Sequence, residues 1–109
     1  MSRREERIAR NEAISRQINE GIEEAKASVS PEGHARMVCE CGRDDCDRVI
    51  AITLPEYEAV RRDGRRFVVV GEHVIPDVEE VVSETDRFTV VRKREGTPAD
   101  VAERSNPRD

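Results

Sequence analysis

Aromatic residues are almost missing from this chain: it has no tryptophan, one tyrosine and two phenylalanines, 3% of the sequence. A core without large rings is thin, and a domain of 109 residues is small. Small domains bury only about 60% of their unfolded surface. They often need a staple, either a metal or disulfides. Long apolar runs are missing too: no stretch approaches the roughly 18 residues that read as a membrane-spanning helix. The N-terminus, MSRREERIARNEAISRQ, carries charge but none of the apolar segment of a secretory leader. The expected compartment is therefore the cytoplasm, where thiols stay reduced. A positive surplus is also missing. The formal net charge is -5, with 39% charged residues against roughly 25% in an ordinary domain. Residues 1–29 are neutral overall, residues 30–94 carry 11 basic against 14 acidic side chains, and residues 95–109 are acidic. No segment is a basic tail, so nucleic acid is an unlikely partner for the chain as a whole.

What the sequence does have is a cysteine cluster. All three cysteines fall within CECGRDDC, at 39, 41 and 46. Thiolates are soft ligands, and a zinc ion takes four ligands in a tetrahedron. In a reduced compartment such a cluster points to metal more than to disulfides. Gly42 supplies the turn that lets the sulfurs share an ion, because glycine tolerates positive φ. A histidine is the expected fourth ligand. His73, in VVVGEHVIP beyond the strongest strand, is preferred; Gly71 lets the chain bend inward. His34, in a turn before the cysteines, and Asp44 are the alternatives. The expectation is one structural zinc per chain on Cys39, Cys41, Cys46 and His73, worth on the order of 10 kcal/mol. Zinc–thiolate centres also respond to oxidants, so a redox or metal sensor is an alternative reading. The motifs H-E-x-x-H, G-x-S-x-G, G-x-G-x-x-G, the P-loop and the deaminase pair are all absent, so no enzyme is expected.

Along the chain, residues 1–29 read as an amphipathic helical arm. Ile14, Ile18, Ile22, Ala25 and Val29 fall within about 60° of one another at 100° per residue. That stripe is the expected contact for a protein partner or for self-association. SPEGH, 30–34, ends the helix as a hinge. Residues 30–94 read as one compact domain. ARMV and RVIAIT have strand composition. Thr53 with Glu56 forms a capping box around Pro55, opening a short helix that buries Leu54, Tyr57 and Val60. RRFVVV is a strand, IPDVEEVVSETD reads as a second short helix on Val78, Val81 and Val82, and RFTVVRKR is a last strand. Strand–helix–strand order favours parallel neighbours. Residues 95–109 read as a disordered tail. The fold class is α+β: a long N-terminal helix, then a small zinc-stapled mixed sheet with two short helices.

Arg61, Arg62, Arg65 and Arg66 lie within RRDGRR. They offer an anion- or nucleic-acid-binding patch, or more simply a helix C-terminus capped by Gly64 in the left-handed region. Arg92, Lys93 and Arg94 read as guards on an edge strand. Asn-Glu recurs at 11–12 and 19–20.

The stretch MVCECGRDDCDRVIAITLPEYEAVRRDGRRFVVVGEHVIPDVEEVV resembles a group of short, uncharacterised actinobacterial proteins. Their pattern runs F-x-C-E-C-x4-C, a strand, L-x-E-Y-E-x-V-R, F-x-V-x-x-x-H and P-x-V-E, after a helix rich in Asn-Glu pairs such as RNEAISRQINEGIEE. The resemblance covers most of residues 7–92. This chain departs from it at Met37 and at Gly71-Glu72. It implies the ligand set Cys39, Cys41, Cys46 and His73 and brings no activity with it. The function expected is a small protein-interaction or regulatory module, transcriptional regulation included, with the nucleic-acid patch as a further alternative.

Overall fold

The structure is a computed structural model that describes residues 2–108; Met1 and Asp109, the outer ends of the expected arm and tail, lie outside the described residues. Alternation builds the first pair of strands. β1 (His34–Val38) and β2 (Val49–Thr53) pair antiparallel, with Ala35 opposite Ile52 and Met37 opposite Ile50. All four side chains are buried on one face, as the two-residue period of a strand requires. Helix α2 (Leu54–Arg61) follows without a loop. Its capping box is complete: the Glu56 amide donates to Thr53 Oγ1 at 3.2 Å, and the Thr53 amide donates to Glu56 Oε1 at 2.8 Å. Leu54, Tyr57 and Val60 enter the core together.

A second sheet holds β3 (Arg66–Val69), β4 (Glu79–Glu84) and β5 (Thr89–Lys93) in the order β3–β5–β4, antiparallel throughout. The α+β class holds, but the strands make two antiparallel sheets, with no parallel neighbours among the described residues. The segment read as a second short helix, 75–86, holds a turn and then β4. Val78, Val81 and Val82 have helical spacing, yet all are β-branched and suit a pleated surface. A bulge between Val81 and Ser83 breaks the alternation that marks a strand. Because β5 is the central strand, Lys93 guards no edge; it is 3% exposed.

The tail read as disordered contains α3 (Thr97–Arg104). Pro98 sits in its first turn, Gly96 turns into it at φ 101°, and Ala99 and Ala102 are buried. Two alanines give little sequence signal. Arg16 fixes the helix from outside, donating to the Ala102 carbonyl at 2.6 Å and to Ser105 Oγ at 3.3 Å.

Helix α1 (Arg3–Ala27) is fastened along the body and does not stand apart as a hinged arm. It buries Glu12, Arg16 and Asn19, spaced by four and three, so its inward stripe is polar. Arg16 stacks over the Phe67 ring at 4.3 Å and donates to the Gly64 carbonyl at 2.7 Å. Lys93 Nζ donates to Glu12 Oε2, and to Glu79 Oε1 at 2.7 Å. Two of its isoleucines face outward: Ile14 is 50% and Ile18 48% exposed. Among the described residues no helix is long and apolar enough to cross a membrane.

Candidate metal centre

The cysteine loop is laid along the outer edge of β3. The Glu40 amide donates to the Val68 carbonyl at 2.8 Å, and the Val68 amide donates to Glu40 Oε1 at 3.0 Å. The Glu40 carboxylate thus substitutes for a backbone carbonyl and closes a sheet edge that would otherwise be open. Glu40 Oε2 accepts from Asn19 Nδ2 at 2.9 Å and from the Tyr57 hydroxyl at 3.0 Å. Burial pushes its carboxyl up, against those three hydrogen bonds and the charge of Arg61. One fully buried side chain therefore joins α1, α2 and β3 beneath the cysteines.

Cys39 follows β1, Cys46 precedes β2, and His73 closes a 3-10 turn (Gly71–His73) beyond β3. Their ligand atoms and Cys41 Sγ lie within 4.8 Å of one another. His73 Nδ1 is 3.7 Å from Cys39 Sγ, 3.3 Å from Cys41 Sγ and 3.5 Å from Cys46 Sγ. A tetrahedral ion with sulfur near 2.3 Å and nitrogen near 2.0 Å sets S···N separations of about 3.6 Å. The three S···N distances are close to that value.

Val70 N–H donates to Cys39 Sγ at 3.3 Å, and the backbone amides of Arg43 and Arg48 favour the thiolates of Cys41 and Cys46. Such donors stabilise thiolates and orient them as ligands. The hydrogen bond from the Cys39 thiol holds Cys41 down to about 5, and the same bond, with burial, pushes Cys39 up. Burial pushes Cys46 up. One thiolate is in place at neutral pH, and an incoming metal displaces the other thiol protons. The cluster can hold a metal ion.

His34 begins β1 and is exposed, far from this constellation in role, and Asp44 is turned toward α1. Asp44 accepts from Asn11 Nδ2 at 2.7 Å and pairs with Arg7 at 3.0 Å. Neither belongs to the ligand cluster, which is Cys39, Cys41, Cys46 and His73. Gly42 has no positive φ. Its need is close approach: a Cβ there would stand 2.2 Å from Ile8 Cγ2. Gly42→Ala is expected to destabilise the protein by about 1–3 kcal/mol. In a double-mutant cycle of denaturant melts, Ile8→Ala should recover only part of that loss, because Ile8 Cβ and Cα would still stand 2.9 and 3.0 Å from the new methyl.

The arginines of RRDGRR do not form one open patch. Arg61 is buried, donating to Glu20 Oε1 at 3.1 Å and to the Arg66 carbonyl at 3.3 Å. Arg65 pairs with Glu103 at 2.7 Å, and Asp63 takes Arg66 at 3.8 Å and Arg92 at 2.8 Å. Arg62 alone of the four is exposed. Gly64 is not left-handed, so it is no αL cap. The proposed partner stripe is also divided: Ile14, Ile18 and Ala25 are exposed, whereas Ile22 is half-buried against the core.

Sequence reasoning missed the residues that carry the cluster. Asn11 donates to the Gly42 carbonyl at 3.1 Å; Asn19 donates to the Val38 carbonyl and accepts from the Val38 amide, both at 2.8 Å. The two asparagines hold the two ends of the cysteine segment, and the glutamate after each pairs with a cation of the body, Lys93 or Arg61. The repeated Asn-Glu was the available signal. No family model, no curated protein and no solved structure matches this chain.

Proposed function

We propose that the cluster binds one zinc ion per chain as a structural staple, and that the domain it fastens is a cytoplasmic protein-interaction or regulatory module and not an enzyme. The convergence of three Sγ atoms and one imidazole Nδ1, each sulfur backed by an amide, carries this reading. A thiolate and imidazole donor set suits zinc, whereas calcium and magnesium take oxygen. Four protein ligands leave a tetrahedral ion no open position for a substrate. The test is metal content by native and denaturing mass spectrometry. One zinc per chain is expected, lost or weakened in His73→Ala and kept in His34→Ala. Metal-free protein after purification with zinc and reductant would sink the reading.

The interaction role rests on the outward face of α1. Ile14, Ile18, Gly21 and Ala25 follow the four-three-four spacing of a coiled-coil seam, and all are exposed. A partner helix laid there would cover two isoleucines, a small area suited to a transient contact. Ile14→Asp with Ile18→Asp is expected to leave the melting temperature nearly unchanged. It should also remove the crosslink that a photoreactive residue at position 21 forms with one defined partner in cells. An unchanged crosslink would remove this face from the proposal, and a crosslink to a second copy would make the partner the protein itself.

A redox-sensing role is favoured by one observation: Cys46 is half-buried while Cys39 and Cys41 are covered. An oxidant reaches Cys46 first. If sensing is the role, mild peroxide releases zinc and changes the oligomeric state together; release without such a change leaves only the staple.

A further inference from the structure

Between the N-terminal half of α1 and α3 lies a cleft of about 290 Å³. That is the small end of ligand pockets, which run from about 300 Å³ upward. Ile8 of α1, Ile75 and Val78 before β4, and Val101 of α3 wall it. All four are half-buried and stand outside the main core cluster. They form a separate apolar lining whose inward side is the cleft. Phe67, Lys93 and Glu12 also line it, and these three are buried.

The buried polar groups there are only partly used. The Lys93 ammonium has three N–H donors. Two go to Glu12 Oε2 and Glu79 Oε1. Glu79 Oε2 is taken by the Ile75 amide at 3.0 Å, but Glu12 Oε1 accepts no hydrogen bond among the described residues. One donor and one acceptor therefore remain on two paired side chains. With Glu12 ionised, the buried charges balance, Glu12 and Glu79 against Lys93 and the Arg16 guanidinium over Phe67. A charged head would upset that balance among the buried groups. A head that accepts from Lys93 and donates to Glu12 would satisfy both.

We propose that this cleft is a small-molecule site for a neutral ligand with an apolar body and a carboxamide-type head, the head on Lys93 and Glu12 and the body against Phe67 and the aliphatic walls. The proposal is independent of the metal. Its probe is benzamide, titrated into the ¹⁵N-labelled, zinc-loaded full chain, beside benzoate and benzylamine, which keep the ring and carry a charge. Benzamide is expected to shift the amides of Phe67, Lys93 and Val101 with saturation in the millimolar range or below. Each charged analogue should bind roughly tenfold more weakly, the worth of one good hydrogen bond. Ala9→Leu fills the cleft from a helix that accepts leucine, and Val101→Phe fills it from the opposite wall. Either variant, with its remaining spectrum unchanged, should abolish the shifts. No saturable shift by about 10 mM, shifts centred elsewhere, binding that survives both fillings, or tighter binding of a charged analogue would each overturn the proposal.

Discussion

Stripping the metal with a strong chelator under reducing conditions is expected to abolish cooperative folding. The ligands come from both sheets: Cys39, Cys41 and Cys46 from the β1–β2 connection, His73 from beyond β3. An ion there would tie together two small sheets. Structural zinc contributes on the order of 10 kcal/mol in small domains, as much as the whole stability of many domains, about 5–15 kcal/mol. Cys41→Ser should act in the same direction, since Cys41 is buried at the centre of the cluster. Circular dichroism melts with and without chelator provide the measurement. A chelated protein that still melts cooperatively at the same temperature would show that the cluster is not a staple.

The second large effect is expected at Lys93. Lys93→Met keeps the volume and leaves Glu12 and Glu79 buried without their cation. Breaking one side of a buried ion pair costs about 3–5 kcal/mol. The loss should depend on pH. Burial, against the pull of Lys93, already holds the Glu12 carboxyl up at about 7 where its ordinary value is 4.5. The folded protein therefore takes up a proton there that the unfolded chain does not, and this group favours folding more as pH falls from about 7 toward 4.5. Without Lys93 the carboxyl is protonated at still higher pH, so the deficit of Lys93→Met should shrink between pH 8 and pH 6. Denaturant unfolding of both proteins at those two values checks it. A deficit below about 1 kcal/mol, flat with pH, would mean that water reaches the triad.

The cluster was legible because its chemistry is local. Three sulfurs in eight positions leave few readings, and a histidine just past the strongest strand is where a partner strand would bring it. Helix α2 was legible for the same reason, its capping box being written in four consecutive residues. The misread elements depend on partners distant in sequence. β4 is a strand because β5 supplies its hydrogen bonds, and α3 is ordered because Arg16, 86 positions away, reaches the Ala102 carbonyl. The face of α1 was the deepest inversion. Periodicity finds apolar stripes, and here the docked stripe is Glu12, Arg16 and Asn19, whose partners are fixed only by the fold. Asn-Glu at 11–12 and 19–20 was visible and too brief to interpret from one sequence.

That polar stripe has a consequence for synthesis of the chain. α1 leaves the ribosome before Lys93, Ala102 and Ser105, which Glu12 and Arg16 bind. At roughly 5–20 residues per second, the helix waits several seconds for them. During that interval Glu12, Arg16 and Asn19 are side chains that water solvates well. α1 docks in full only once residues 93–105 have emerged, so closure waits for the segment that completes β5 and carries α3.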